Sequence, residues 1–279
     1  MSWNIWSGVL TTVLTVLLSI AGLLLVRRLS ANSNFKEHHD VADPMLSTVG
    51  TLFAILLGFM VANAMQRFEE ARVNVQEEAN AVMDLYRLAE GLPSAKCDNL
   101  RLHLKKYNEA IIKDEWPKLS LKQTSDVAYK YYDLAWTDCA TFKPTEDAHN
   151  NLQQKILDCI TTLSDCRRTR IYAMHNGLPP ALWPALFTGG LATIFFTYLF
   201  KMHNFKLQIL MTSLVTLAIC LNLFLLASFD DPFSGDVRVT PLPFEMNESA
   251  FGMVESAGRS PEAIFAPKTA PAATPVLGH

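Results

Sequence analysis

The run LFAILLGFMVANAMQRFEEARVNVQEEANAVMDLY (Leu52–Tyr86) decides the fold. Its first half carries no charge. From Arg67 onward charges are dense, yet neither glycine nor proline appears between Gly58 and Gly91. Nothing breaks the helix where the character changes. The uncharged stretch is Met45–Gln66. That is the length of a helical span, which takes roughly 20 residues to cross about 30 Å of hydrocarbon. Beyond Gln66 the helix should continue to about Glu90. At about 1.5 Å per residue it would project roughly 35 Å from the membrane. The stretch reads as one rod, half in lipid and half in water.

Three other stretches lack Asp, Glu, Lys and Arg: Ile5–Val26, Ile171–Phe200 and Leu207–Phe229. Gly177, Pro179, Pro180 and Pro184 move the start of the third span to near Ala181. The 279 residues are 50% hydrophobic and 18% charged. Soluble domains are about 25% charged. A net charge of −3, without a basic patch, excludes nucleic acid as a partner. The first segment has no Lys or Arg before its long apolar run, with Arg27 and Arg28 after it. It therefore reads as a retained span and not a cleaved signal. Trp3, Trp6 and Trp183 suit the membrane interface.

Between spans two and three the chain reads as helix. After the rod, helices fit Ala95–Glu115, ended by Pro117, then Ser120–Ala140, opened by Ser120, and Thr145–Asn176, capped by Thr145. The expected architecture is all-α: an integral membrane protein with four transmembrane helices and a protruding helical bundle. Its parts are spans one and two (1–66), the bundle (67–176), spans three and four (177–229), an acidic turn (230–248) and a disordered Pro/Ala-rich tail (249–279).

Charge flanking gives a weak orientation. Arg27, Arg28, Lys36, Lys201 and Lys206 occupy the two short loops, where the positive-inside rule applies best. They place the bundle outside. Five arginines flank the spans on the bundle side: Arg67, Arg72, Arg167, Arg168 and Arg170. Cys97 and Cys139 should share one end of a helical hairpin, which suits either a disulfide or buried reduced thiols.

Several motifs are candidates for function. Gly50, Ala54, Gly58 and Ala62 place a small residue every four along span two. Such a stripe serves close helix packing, within a protomer or between protomers. Gly8, Thr12, Thr15, Ser19 and Gly22 form a similar stripe on span one. Lys36–Asp40 (KEHHD) pairs histidines with carboxylates, either as an exposed loop or as a metal site. Glu70 and Glu77 share one helical face, with Glu78 beside them. Glu77 or Glu78 could pair with the returning arginines. Alternatively, Arg167, Arg168 and Arg170 could attract anions at a vestibule. Asp230, Asp231 and Asp236 follow span four in DDPFSGD, either as a structural turn or as oxygen ligands for a cation such as calcium. No catalytic signature is present, so an enzyme is not expected.

The rod with its EEANAV segment and the turn DDPFSGDVRVTPLPFE together resemble the bacterial bestrophin-like family. The resemblance covers most of residues 1–245. It implies a pentameric anion channel with span two lining the axis. The apolar neck would then come from Phe53, Leu56 and Met60. It also implies a bundle on the cytoplasmic side, against the short-loop charges. The expected function is an oligomeric, anion-selective channel in a bacterial inner membrane, with lipid, inorganic anions and further copies of the chain as partners. The alternative is a non-conducting membrane sensor or scaffold whose bundle binds another protein.

Overall fold

The computed structural model describes residues 4–29, 39–144, 147–199 and 204–259. Among these, the regular elements are helical, with no strand. Helix α1 covers Ile5–Leu29, and α2 runs unbroken through apolar and charged halves alike, His39–Leu88. After a 3₁₀ turn at Ala89–Gly91 come α3 (Ser94–Ala110), a π turn (Ile111–Glu115) and the short α4 (Trp116–Leu119). Helices α5 (Asp126–Ala140) and α6 (Asp147–His175) complete the first part of the bundle. The chain then returns through α7 (Leu182–Leu199) and α8 (Phe205–Asp230), and ends its described part with α9 (Leu242–Arg259). Four helices have the length and apolar character of membrane spans: α1, the first half of α2, α7 and α8.

α2 organises everything. In the bundle it packs mainly along α6, and in the membrane along α8 and α7. A large bundle core surrounds Val75, Val82, Tyr86, Leu104, Ile111 and Ile160. A smaller core in the membrane half joins Phe53, Leu57, Leu186, Ile194 and Leu226. The polar stripe of α1 serves helix contact. A Cβ at Gly8 would collide with the Phe224 ring, so only glycine admits the ring there. Ser19 and Thr216 share a hydrogen bond of 2.9 Å, and Tyr198 Oη donates to the Ser19 carbonyl at 2.9 Å. Such bonds satisfy hydroxyls that lipid cannot.

Several boundaries differ from the sequence expectation. Pro117 does not end its helix. The π turn shifts the ladder, and the proline falls in the first turn of α4. A missing N–H costs little there. Ser120 does not open α5. Ser125 does, its hydroxyl accepting from the Ala128 amide at 3.0 Å, as N-cap serines do. Thr145 and the KEHHD side chains lie outside the described residues. The tail expectation needs correction for 249–259, which belong to α9. This helix sends Phe244 and Phe251 into the bundle core, and Asn247 Nδ2 donates to the Ala79 carbonyl at 2.7 Å. Lys96 reaches Thr141 at 3.3 Å, so Cys97 and Cys139 do share one end of the α3–α5 pair. Both are free, and burial pushes the Cys139 thiol up to about 12.

Candidate functional site

Within the membrane, α2 has two unlike faces. Phe53, Leu57 and Ala64 are buried, with Met60 and Val61 packed beside them. Phe53 lies so close to α7 that a Cβ on Gly189 would be 2.5 Å from its ring. The other face is bare: Leu52, Ile55, Leu56 and Phe59 are exposed. Ala54, Gly58 and Ala62 are exposed too, and neither Gly50 nor Gly58 has a neighbour within 4 Å of a would-be Cβ. The three neck candidates thus divide: Phe53 is buried inside the protomer, Met60 is half-buried beside it, and Leu56 stays on the open face. Gly189 and Gly190 on α7 explain the choice, because a surface without Cβ atoms accepts a phenyl ring at backbone distance.

The open face continues upward. Glu70 lies about three helical turns beyond Phe59, and Glu77 and Asp84 follow at intervals of about two turns. All three carboxylates are exposed, as are Gln66 before them and Val73 and Asn80 between them. The uncovered line of α2 is therefore apolar through Phe59, polar at Asn63 and Gln66, and acidic above them.

The arginines returning on α6 do something else. Arg170 is wholly buried. Its Nε donates to Glu78 Oε2 at 2.6 Å, and its Nη2 reaches Glu115 Oε1 at 2.7 Å. Arg167 makes a two-pronged contact with the same Glu115, both bonds at 2.9 Å. Tyr107 Oη donates to Glu78, and the Trp116 ring lies 5.7 Å from the Arg170 guanidinium. Two cations and two carboxylates thus neutralise one another away from water. Burial alone would raise the Glu115 carboxyl, but Arg170 and Arg167 outweigh it and hold it below the usual carboxylate range. Burial, with Glu78 beside it, drives the Tyr107 phenol well up. The anion-vestibule expectation fails for Arg167 and Arg170, whose charge is spent on Glu115 and Glu78. Arg168 is exposed and pairs with Asp165 at 3.3 Å.

Sequence reasoning missed Glu115. It lies far along the chain from its arginines, and only its helical phase betrays it. Leu104, Tyr107 and Ile111 form one buried face, and Glu115 continues it. A carboxylate on a core stripe needs a buried cation.

The three aspartates after span four have separate partners. Asp230 Oδ1 accepts from the Leu178 amide at 2.6 Å and from Arg67 Nη2 at 3.2 Å. Asp231 Oδ1 accepts from the Phe233 amide at 3.2 Å, shaping its own turn. Asp236 Oδ2 accepts from the Ile5 amide at 2.7 Å. Gly235 has a φ of 79°. It supplies the left-handed residue that the turn needs. The motif fastens the ends of the spans together. Its carboxylates do not converge, and no metal-ligating group of three forms among the described residues. These contacts describe Asp230, Asp231 and Asp236 as a structural turn, the first of the two readings.

A family model for the bestrophin-like domain matches residues 13–244. The chain belongs to the bestrophin-like family. No curated protein sequence matches it significantly. Its fold is similar to crystal structures of a bacterial bestrophin homologue from Klebsiella pneumoniae. One point variant of that protein is 17% identical, with a TM-score of 0.64 over 88% of this chain and 98% of that chain. A second is 17% identical, with a TM-score of 0.64 over 89% and 98%. A third is 16% identical, with a TM-score of 0.58 over 93% and 99%. The bestrophin-like chain is thus an all-α membrane protein of channel-type architecture. The α2 rod and the acidic turn that carried the resemblance are the parts that hold its fold together.

Proposed function

We propose that this bestrophin-like protein assembles around α2 and conducts ions along the shared axis. The observation that carries the reading is the bare face of α2. The helix is packed on one side and open on the other, with Leu52, Ile55, Leu56 and Phe59 outward. Such a face needs further copies of the chain or lipid to cover it. A ring of such side chains forms a constriction that opens and closes by wetting. Phe59 and Ile55, four apart, take the neck role that was expected of Phe53. A pentamer in a bacterial inner membrane fits the family resemblance.

The acidic line above the neck sets the ion preference. In an oligomer, Glu70, Glu77 and Asp84 would repeat around the entrance and raise local cation concentration. We therefore replace the anion selectivity that the resemblance implied, which Arg167 and Arg170 are too buried to support, with a preference for cations. The test is flux and reversal potential in liposomes under a potassium chloride gradient. Phe59→Ala should raise flux several-fold while Phe53→Ala does not widen the pore. Glu70→Gln with Glu77→Gln should move the reversal potential towards zero. A reversal potential of chloride sign sinks the cation assignment. No flux above empty liposomes for native protein and Phe59→Ala alike sinks the channel and leaves the scaffold reading.

A further inference from the structure

The fold marks a membrane plane independently of hydropathy. On the bundle side, Ile5 starts α1 beside Asp236, Arg67 leaves the membrane beside Asp230, and Trp183 lies in the first turn of α7. Trp6, in the first turn of α1, is largely open to the surroundings. Tryptophan concentrates at the headgroup level. Groups beside these atoms therefore lie in the headgroup layer.

One turn of the bundle comes down to that plane. Lys122, between α4 and α5, shares a crevice of about 220 Å³ with Trp183, Ser228, Asp230, Asp231 and Val237. Trp183 opens one span and Ser228 closes another, so Lys122 stands at the lipid boundary. Its backbone is left-handed, with a φ of 57°. A side chain other than glycine adopts that conformation at a cost. Its neighbour Leu121 is 68% exposed. Across the crevice Val237 is exposed as well, followed by exposed Arg238. The same pattern thus appears twice: an uncovered apolar side chain followed by a cation. The nearby carboxylates are engaged elsewhere, Asp230 with Arg67, Asp231 with its own turn and Asp236 with α1. Neither Lys122 nor Arg238 forms an ion pair among the described residues.

We propose that Leu121–Lys122 and Val237–Arg238 form a lipid-docking surface for anionic phospholipid. Leu121 and Val237 enter the boundary of the acyl chains, where their burial is favourable. Lys122 and Arg238 hold headgroup phosphates, as juxtamembrane cations do at anionic leaflets. Lipid is favoured over a soluble partner because the surface is continuous with the ends of α7 and α8. The α4–α5 turn then tethers the bundle to one leaflet. That tether lies close to the ion cluster, since the Ser125 amide donates to Glu115 at 3.2 Å.

The test replaces Leu121 by photoreactive benzoylphenylalanine in the full chain, reconstituted in vesicles of phosphatidylethanolamine and phosphatidylglycerol. After irradiation, mass spectrometry should find mainly lipid adducts. Phosphatidylglycerol should exceed its share of the vesicle about threefold, in line with attraction of anionic headgroups to nearby cations. The control position is Leu102, exposed on α3 beside Arg101, which pairs with Glu90 at the far end of the rod. The same probe there should find no lipid. Lys122→Glu with Arg238→Glu should keep the lipid adducts but abolish the enrichment. Adducts only with a second copy of the chain, no adduct at all, or equal lipid labelling at Leu102 would each overturn the proposal. Unchanged enrichment in the double variant would overturn the phosphate assignment.

Discussion

The two halves of α2 share one helix and obey different rules. From Arg67 to Leu88, Ala71, Val75, Glu78, Ala79, Val82, Leu85 and Tyr86 are all buried against α3, α6 and α9. From Leu52 to Gln66, only Phe53, Leu57 and Ala64 are. The bundle half finds its whole core inside one chain. The membrane half does not, and its bare stripe is mostly small and apolar, with exposed Thr51 and Asn63 as polar exceptions. In water such a stripe would drive collapse. In a bilayer it leaves the helix free to choose between lipid and another copy of itself. The chain thus places its rigidity outside the membrane and its adaptable contacts within it, along a single rod.

The largest effect should come from the rigid half. Removing Arg170 leaves Glu78 and Glu115 buried with too little positive charge. Breaking one partner of a buried ion cluster costs about 3–5 kcal/mol. Arg170→Ala should therefore lower the melting temperature of the bundle sharply, measured by helical circular dichroism in detergent. Arg168→Ala, close by in sequence, should change little, because its bridge to Asp165 is exposed. Equal effects of the two substitutions would mean that the cluster does not hold the bundle together.

A smaller effect follows from pH. The Glu115 carboxyl is held below its ordinary value by Arg170 and Arg167, against the opposing pull of burial. A depressed carboxylate contributes stability that is fully present above its unfolded value, about 4.3. That contribution fades as pH falls through the folded value. Native protein should lose stability on acidification below about pH 4.3, more steeply than Glu115→Gln, which starts lower and has no charge to lose at that site. The difference between the two curves isolates this group from the other carboxylates. Parallel curves would place the acid sensitivity elsewhere.

The same contrast governs what the sequence could disclose. The four spans were legible because hydrocarbon tolerates so few charges, and the unbroken rod because glycine and proline are missing from Phe59 to Glu90. The contact between α2 and α7 was not legible from α2, whose membrane faces are both apolar. Gly189–Gly190 held that information on another helix. Helix α9 was hidden by the composition of the tail that follows it, although Phe244, Asn247 and Phe251 already repeat at helical spacing. The pairing of Glu78 with Arg170 was one of two alternatives. Choosing it required knowing that Glu115 arrives from another part of the bundle to complete the charge balance.

The smallest effect on the protomer should be the most telling for the unfinished half. Gly58 faces open space within the chain, with nothing within 4 Å of a would-be Cβ. A leucine Cβ there meets no atom of its own protomer. Gly58→Leu should therefore leave bundle stability within about 0.5 kcal/mol of native, the usual range for uncovered sites. The helix itself gains, since leucine exceeds glycine in helix propensity. Between protomers the outcome reverses. Close approach of two backbones requires small residues at the contact, and a branched side chain holds the helices apart. The mass of the detergent-solubilised complex should therefore fall while the bundle stays folded. Gly189→Leu makes the contrast, because a Cβ at that position already collides with Phe53 inside the protomer. It should disturb folding first and assembly only as a consequence. An unchanged mass for Gly58→Leu would mean that lipid, and not a second copy, covers the open face of α2.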